Sequence, residues 1–427
     1  MSDGSFTRFI RMFTLVFAGE MIFSLPFHTA RFFRHTLLEV FDFSNTQLGD
    51  VFALYGITAM ISYFPGGALA DRYPARKVMA VSLFATALGG LYMATIPGGM
   101  GMAVLYGFWG ISTILLFWAG MIRATREWGG RLSQGKAFGI LDGGRGLVAA
   151  AVATLAVIIL SVYLPVDVEA ASAAERREGM QSVIWFYAAV TAMAGILVWC
   201  LLPDGEDAAR RASDNMLARM LLVLRRPVVW AQAAVVVCAY CGFKGLDNYS
   251  LYAVQVLGMD EVEAANFTAY ASYLRPVGAI AAGILADRFS ASKVVGVAFL
   301  LAAFSYGILA FAAPSAALQA LIIANILMSF VAVFALRGVY FALLEETHIP
   351  PHLTGTTVGL VSVVGFTPEI FFAPITGRIL DAAPGLVGHQ HYYLFLAGTA
   401  VLGLLVVIVL IGLNRGQPWQ IRAGGAT

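Results

Sequence analysis

The chain has 427 residues, of which 59% are hydrophobic and 12% are charged, and its formal net charge is +2. A soluble protein carries about 25% charged residues, so this chain has too few charges to cover a water-exposed surface of its size. Its apolar residues also occur in runs of about twenty, the length that a bilayer-spanning helix requires. A large soluble protein would need polar helix faces that most of these segments lack. The composition therefore indicates an integral membrane protein.

In chain order, the apolar segments form two groups of six. The first group lies at about 9–33, 47–70, 77–97, 101–124, 137–164 and 182–202. The second group lies at about 228–256, 262–286, 292–313, 316–343, 355–380 and 390–413. We predict an all-α integral membrane protein with twelve transmembrane helices in two pseudo-symmetric six-helix bundles. The bundles are predicted at 1–202 and 228–427, and a polar cytoplasmic linker at 203–227 joins them.

The first apolar segment resembles a signal peptide in outline, because it follows Arg8 and Arg11. However, it contains Glu20 and lacks a small-residue cleavage site, so we interpret it as the first membrane span.

Basic residues predict the orientation of the chain in the membrane, because cytoplasmic loops carry an excess of Lys and Arg. One loop carries Arg72, Arg76 and Lys77, and the linker is also basic, whereas the loop at 97–101 has no basic residue. We therefore expect both termini and the linker to be cytoplasmic, and the protein to lie in the cell (inner) membrane.

Several classes of function have no support in the sequence. We find no phosphate-binding glycine motif, no nucleophile–base motif and no metal-ligand cluster. Cys238 and Cys241 form a C-x-x-C, which we interpret as packing residues rather than as a redox or zinc site, since no second ligand pair follows. We expect no enzymatic activity, no cofactor, no metal and no nucleic-acid partner, and we expect a monomer in the lipid bilayer.

A charged loop motif occurs twice in the chain. Its members are Gly67, Leu69, Asp71, Arg72 and Lys77 in the first copy and Gly283, Leu285, Asp287, Arg288 and Lys293 in the second. Each pair is separated by 216 positions. Arg123 and Arg337 are 214 positions apart, and two further glycine pairs are 220 apart. A register maintained across these landmarks predicts two homologous halves.

This motif is similar to the G-x-L-a-D-R-x-G-R-(R/K) loop of the major facilitator superfamily, and the resemblance covers the whole chain. Pro74 and Ala75 replace the usual glycine and arginine. The resemblance implies that the loop joins helices 2 and 3 and contacts helix 11 in one of two states. The latch residues it implies are Gly67, Asp71, Arg72, Arg76, Asp287 and Arg288. We expect Gly67 to permit close helix approach and Asp71 to lie at a helix N-terminus. The alternative is a topology anchor.

Charges inside the membrane are the strongest functional signal, because each is costly unless it faces water or a partner. Helix 1 carries Glu20, Ser24, His28 and Arg31 on one face, and helix 7 carries Tyr240, Lys244 and Asp247 on one face. His28 and Lys244 are 216 positions apart and so occupy equivalent places in the two halves.

Further charges lie on helices 5, 8 and 11, and they are Asp142, Arg145, Arg275 and Glu369. The pattern resembles the anion-handling branches of the superfamily, above all the organophosphate:phosphate antiporters and also the anion:cation symporters. In the antiporters, paired arginines on helices 1 and 7 fall on His28 and Lys244, and a helix 5 histidine falls on Arg145. The replacement of both arginines leaves the substrate open.

Each of these charges also has a structural interpretation. Lys244 with Asp247, and Asp142 with Arg145, are spaced to neutralise each other within one helix. Arg275 and Glu369 form a second possible structural pair, and Arg31 is placed to reach the outer interface. Arg123 and Arg337 are interpreted as gate or anchor residues, and Trp118 as a packing or lipid-facing residue.

We predict a secondary active transporter that moves a small organic anion by alternating access, coupled to protons. The predicted substrate-binding residues are Lys244, Arg275, Arg145, His28, Arg31 and Tyr240. The predicted proton-coupling residues are Glu20, Glu369 and Asp247, because a buried carboxylate can hold a proton near neutral pH; Glu20 is favoured because it has no basic residue within one turn. The alternatives are exchange against a counter-anion, transport of a zwitterion, metal chelate or siderophore, and a non-transporting scaffold or sensor.

Overall fold

A computed structural model describes residues 4–130, 134–204, 216–347, 349 and 351–416. The first half forms six long helices. Helix α1 comprises Ser5–Met21 and Ser24–Phe32, α2 is Asn45–Arg72, α3 is Ala75–Met93, α4 is Gly99–Gly129, α5 is Gln134–Tyr163 and α6 is Ala173–Leu201. In the second half, α7 is Pro227–Gln255, α8 comprises Glu261–Ser272 and Leu274–Arg288, and α9 is Ala291–Phe311. Helix α10 is Gln319–Val339, α11 comprises Pro351–Gly365 and Pro368–Ala382, and α12 is Leu386–Gly416. The predicted all-α, twelve-helix fold is confirmed.

The helices differ in how apolar they are. Within the part of the chain that the structure describes, eight helices, or nine with the bent α1, are long and apolar enough to cross a membrane. The other three predicted spans are occupied by α2, α3 and α8. In α8 the polar character comes from residues such as Glu263, Arg275 and Asp287, which interrupt its apolar run.

Helix starts follow the capping residues rather than the apolar runs. Helix α6 begins at Ala173, nine residues before the predicted start at 182, because Ser172 and Glu175 form a capping box. Equivalent boxes begin α2, at Ser44 and Gln47, and α8, at Asp260 and Glu263. The charged first turns of α6 and α8 are therefore helical although they are not apolar.

Five of the described helices are irregular near their middle, and one of them is α4, which changes to a π-helix over Ser112–Trp118. Helix α1 changes to a π-helix over Ser24–His28 and bends by 43°. Helix α7 tightens to a 3₁₀ turn over Leu246–Asn248, α8 is interrupted at Tyr273, and α11 is interrupted immediately before Pro368. Such breaks free backbone groups and are tolerated where helices line a cavity. They place functional side chains at the centre of the molecule.

The two bundles have separate apolar cores. One core is built from buried residues between Met12 and Leu202, with Ala265 and Ala269 of α8, and the other from residues between Val223 and Leu410. We call the end of the molecule at residues 72–75 and 288–291 the linker face, and the end at residues 42–45 and 255–261 the far face. The bundles contact each other through α2 against Pro368–Ala382 of α11, and through α5 against α8.

Glycines allow the α2–α11 contact, but not at the predicted position. A methyl group at Gly56 would lie 2.5 Å from the backbone of Glu369, and Gly49 and Gly377 are equally close to the partner helix. A methyl group at Gly67 would meet no described atom within 4 Å. The expectation of close approach at Gly67 is therefore wrong in this conformation, because the contact with α11 is made by the far-face half of α2.

Candidate functional site

A cavity of about 90 Å³ lies between the bundles in this conformation, which is smaller than the roughly 300–1,000 Å³ that is usual for small-molecule sites. Both bundles contribute to its wall. Among the described residues, the lining includes five strongly basic side chains and two carboxylates, namely Arg31, Arg145, Lys244, Arg275, Arg337, Glu20 and Glu369. His28 also lines it. The structure thus brings together all the predicted substrate-binding residues, and the wall carries an excess of positive charge.

Glu20 is the centre of one ion-pair cluster. Its side chain accepts from His28 Nε2 at 3.2 Å and from Arg145 Nε at 3.1 Å, and Arg275 Nη1 lies 3.6 Å away. Glu20 has no basic residue within one turn of its own helix, but the inference that it is unpaired is wrong, because two of its partners come from α5 and α8 and the third lies two turns along α1. Arg275 belongs to the second bundle, so this cluster joins the two halves.

Asp142 also pairs across the bundles. Its Oδ1 accepts from Arg275 Nη2 at 3.0 Å and lies 3.9 Å from Arg337 Nε. Two of the predicted structural pairs are therefore wrong. Arg145 contacts Glu20 instead of Asp142, its neighbour within α5, and Arg275 contacts Asp142 and Glu20 instead of Glu369 on α11.

Lys244 forms a second cluster within the second bundle. Its Nζ lies 3.1 Å from Asp247 and 3.3 Å from Glu369, which also accepts from the hydroxyl of Tyr240. The ammonium group faces the ring of Phe27 at 4.3 Å. The Lys244–Asp247 pair expected from the spacing is present, and Lys244 is neutralised by two carboxylates.

Arg31 links the two halves at equivalent positions. Its Nε donates to Asp247 Oδ1 at 2.6 Å, and the two residues are 216 positions apart. Its guanidinium also lies 4.7 Å from the centre of the Phe243 ring. Arg31 therefore points into the interface between the bundles and not toward the outer membrane surface, which corrects that alternative.

The sequence analysis gave two of the described lining residues a different role. Arg337 was interpreted as a gate or anchor residue near a helix end, yet it lines the cavity and its guanidinium lies 4.1 Å from the centre of the Phe243 ring. Trp118 was interpreted as a packing residue and also lines the cavity. The repeat gave no useful signal, since Arg123, the counterpart of Arg337, pairs locally with Glu127 at 2.8 Å.

A glycine on α5 makes room for Arg275. A methyl group at Gly146 would lie 2.7 Å from Cδ and 2.8 Å from Cγ of Arg275, closer than real side chains approach. Gly146→Ala is therefore expected to displace Arg275 from Asp142 and Glu20 and to lower transport by about tenfold or more, since overpacking costs about 1–3 kcal/mol. Uptake into proteoliposomes measures the effect.

The control for this prediction is Gly143→Ala on the same helix, where a methyl group would meet no described atom within 4 Å. It makes the same chemical change and should leave transport close to that of the unmodified protein. Equal transport by the two variants would show that the position of Arg275 does not depend on Gly146.

The far face is closed by contacts between the bundles. Asp381 at the end of α11 accepts from the backbone N–H groups of Asn45 at 3.1 Å and of Thr46 at 2.7 Å. It therefore caps the N-terminus of α2, where the helix dipole favours a negative charge. Asp50 and Arg378 form an exposed ion pair at 2.8 Å between the same two helices.

A second far-face contact is centred on Glu261 of α8. It accepts from Thr36 at 2.7 Å and from Arg176 Nε at 2.6 Å. His35 and Glu39 lie beside it, and the possible ligand atoms of the three residues are within 4.8 Å of one another. Because the guanidinium of Arg176 also contacts Glu39 at 3.2 Å, we interpret the group as an ion-pair network and not as a metal site.

The predicted latch residues lie at the linker face, away from the cavity. Arg76 pairs with Asp204, at the start of the linker, at 2.6 Å. Arg72, Asp287 and Arg288 are exposed. The side chain of Asp71 lies outside the described residues. The latch role therefore remains a prediction.

Comparisons with known proteins agree with this architecture. The family described as Major Facilitator Superfamily matches residues 9–373. The chain is 28% identical over 422 residues to the inner membrane protein YqcE of Escherichia coli (strain K12), covering 96% of each chain. It is 28% identical over 409 residues to the "Probable nitrate/nitrite antiporter NarK1" of Thermus thermophilus, covering 90% of this chain and 86% of the relative.

Two solved structures share the fold. The crystal structure of nucleoside transporter NupG has a TM-score of 0.69 at 12% identity and covers 95% of this chain and 99% of its own. An inward-facing, unoccupied bacterial homologue of the human lysosomal transporter Spinster has a TM-score of 0.66 at 14% identity and covers 97% of each chain.

Proposed function

Because this chain belongs to the Major Facilitator Superfamily and is a secondary transporter of that type, we propose that it moves a small organic anion across the cell membrane with proton coupling. The observation that carries the proposal is the cavity wall, where five strongly basic side chains face two carboxylates among the described residues. A wall with an excess of one charge sign raises the local concentration of ions of the opposite sign.

The proposed binding residues are Lys244, Arg275, Arg145, His28, Arg31 and Tyr240, all of which line the cavity. Arg145 and Arg275 share Glu20 at 3.1 and 3.6 Å, and Arg275 shares Asp142 with Arg337 at 3.0 and 3.9 Å. Three guanidinium groups therefore face two carboxylates, which leaves one positive charge for an anion. Lys244 and Arg31 are already paired with carboxylates. Their part is to set the orientation of the substrate and to exchange partners during the cycle.

We propose alternating access between two rigid bundles, residues 1–202 and 228–427, around this cavity. The linker at 203–227 lies partly outside the described residues, at 205–215. With the linker and both termini in the cytoplasm, as the basic loops indicate, the far face is periplasmic. The closed far face then excludes an outward-open state.

The proposed coupling residues are Glu20, Asp247 and Glu369. Glu20 and Asp247 each have a basic partner from the opposite bundle, Arg275 and Arg31 respectively. Movement of the bundles therefore changes the charge next to these carboxylates. The partners of Glu369, Tyr240 and Lys244, belong to its own bundle, which makes Glu369 the weaker candidate.

Exchange against a second anion is the main alternative mechanism, and similarity to a protein named as an antiporter favours it. It needs no protonatable carboxylate. Counterflow separates the mechanisms: exchange requires an anion on both sides of the membrane, whereas proton coupling drives net uptake into empty vesicles when a pH difference is imposed.

The proposed function is tested in two steps. A thermal-shift screen of the purified protein against carboxylates, phosphates, sulfonates and matched zwitterions identifies compounds that stabilise it. Radiolabelled forms of those compounds are then offered to proteoliposomes. Saturable uptake of an anion supports the proposal. Binding without uptake of any compound would indicate a sensor or scaffold, and selective uptake of zwitterions would exclude the anion.

A mutation at the far face tests alternating access. Asp381→Asn removes the negative charge and one acceptor oxygen at the N-terminus of α2, and a charge at a helix terminus contributes about 0.3–1 kcal/mol, or up to about 2 kcal/mol where it is partly buried. We expect the equilibrium to shift toward an open far face by about three- to tenfold. Maleimide labelling of Ser250→Cys, in a protein whose three native cysteines are replaced by serine, reports the shift, because Ser250 is buried against Arg31 in this conformation.

The matched control is Asp50→Asn, which makes the same substitution in an exposed pair between the same helices. Exposed pairs contribute about 0–1 kcal/mol, so labelling should change much less. Unchanged labelling in Asp381→Asn would show that the cap does not hold the far face closed.

For Asp71→Asn we expect the conformational equilibrium to shift in the opposite direction, toward the inward-facing state, with lower turnover and unchanged substrate affinity.

A further inference from the structure

Two arginines of the second bundle face one carboxylate of the first. Asp142 Oδ1 accepts from Arg275 at 3.0 Å, whereas Arg337 Nε lies 3.9 Å away, beyond hydrogen-bonding distance. The Nε atoms of both arginines are buried and have no hydrogen-bond partner among the described residues. Arg275 has a second carboxylate, Glu20, at 3.6 Å, whereas Asp142 is the carboxylate that the two arginines share. Part of the donor capacity of both guanidinium groups is unused.

We propose that Arg275 and Arg337 together form the site for the oxyanion group of the substrate, and that Asp142 partly occupies this site in the empty protein as an internal competitor. The inference deepens the proposed function and rests on it, since it assumes an anionic substrate in the cavity. It adds Arg337 as a binding residue and gives Asp142 a role in setting affinity.

The surroundings of the two arginines suit this role. Arg275 is 4% exposed, and a buried charge of this kind requires neutralisation. Arg337 lies with its guanidinium 4.1 Å from the centre of the Phe243 ring, which supports one face and leaves the donor edges to the cavity. A guanidinium fork matches a carboxylate, phosphate or sulfonate through two parallel hydrogen bonds.

Asp142 is the member of the group that can be displaced. Its side chain is 36% exposed, compared with 5% for Arg275 and 15% for Arg337, so it can leave for water at little cost. It is also the only one of the three on the first bundle. An oxyanion that replaces Asp142 would satisfy both arginines and release this contact between the bundles.

The proposal predicts opposite signs for two substitutions. Asp142→Asn removes the competitor and should strengthen anion binding, whereas Arg337→Gln removes half of the site and should weaken it. A purely structural role predicts that both substitutions impair the site, because each breaks an ion pair.

Nitrate is the probe, because it is a planar oxyanion that quenches indole fluorescence on contact. Trp118 lines the same cavity, and its signal is the difference between each full-length protein and its Trp118→Phe form. We expect nitrate quenching of Trp118 to rise about twofold in Asp142→Asn and to fall about twofold in Arg337→Gln, as the change of one nearby charge implies. Quenching by neutral acrylamide should not change.

Iodide, a spherical anion that also quenches indole, separates charge from shape. Arg337→Lys keeps the charge and loses the planar fork, so iodide quenching should be retained while nitrate quenching falls. Asp50→Asn and Arg378→Gln repeat the charge changes in an exposed pair at the far face and should leave Trp118 quenching unchanged.

Three results would overturn the inference: nitrate quenching that is unaffected by Arg337→Gln, nitrate quenching that falls in Asp142→Asn, or parallel loss of iodide and nitrate quenching in Arg337→Lys. The test is separate from the proposed function. Failure to transport any anion would reject the function without changing the quenching result, and transport with an unaltered KM in Arg337→Gln would reject the inference alone.

Discussion

Arg275→Gln is expected to lower anion transport by about 100-fold or more while the protein is still made and folded. Arg275 joins the bundles by contacting Asp142 at 3.0 Å and Glu20 at 3.6 Å, and it lines the cavity. Removing one partner from a buried, hydrogen-bonded charge pair costs about 2–5 kcal/mol, and each 1.4 kcal/mol is about tenfold. Initial uptake into proteoliposomes, with an anion identified by thermal shift, measures the loss.

Arg378→Gln is the matched control for this substitution. Arg378 is an arginine in an ion pair between bundles, but the pair is exposed and lies at the far face. Its loss should change uptake by about twofold at most. Size-exclusion profiles of both variants must match that of the unmodified protein. Normal uptake by a well-folded Arg275→Gln protein would reject the anion site.

Glu20→Gln is expected to keep substrate exchange and to lose accumulation driven by a pH difference. In this conformation Glu20 is held by Arg145 and by Arg275 from the opposite bundle. When the bundles move, Arg275 is the partner that withdraws, and the carboxylate can then take up a proton. Glutamine resembles the protonated side chain, so binding and exchange should continue without proton movement.

The measurement compares pH-driven accumulation with exchange in the same proteoliposomes. Glu39→Gln is the control, because Glu39 is a half-exposed carboxylate at the far face and should affect neither rate. Full pH-driven accumulation in Glu20→Gln would remove Glu20 from the coupling role. The assignment would then move to Asp247, whose partner Arg31 also comes from the opposite bundle, or to Glu369.

The positions of the helices followed from the sequence because they depend on local properties. An apolar run of sufficient length is helical in a bilayer whatever it packs against. The predicted boundaries failed where charged turns are helical, as at Ala173 of α6, because the capping box of Ser172 and Glu175 begins that helix. The repeat of Asp71 and Asp287 indicated two homologous halves without any knowledge of their contacts.

The composition of the site was largely visible in the sequence, but its pairing was not. Intramembrane charges such as Glu20, Lys244 and Arg275 stand out because the bilayer penalises them. Spacing within a helix suggested the Lys244–Asp247 pair, which is present. The same reasoning predicted an ion pair between Asp142 and Arg145, but in the structure Asp142 pairs with Arg275 and Arg145 pairs with Glu20.

The sequence by itself therefore determined the membrane class, the two-bundle fold and most of the charges that line the cavity, since these follow from local composition and from the internal repeat. The tertiary structure decided which charges meet, that Arg337 reaches the cavity, and that the far face is closed by Asp381. Coulomb energy depends on distance in space and on burial, and helices distant in sequence supply the nearest partner. Glu20, with partners 125 residues away on α5 and on α8 of the other bundle, shows this most directly.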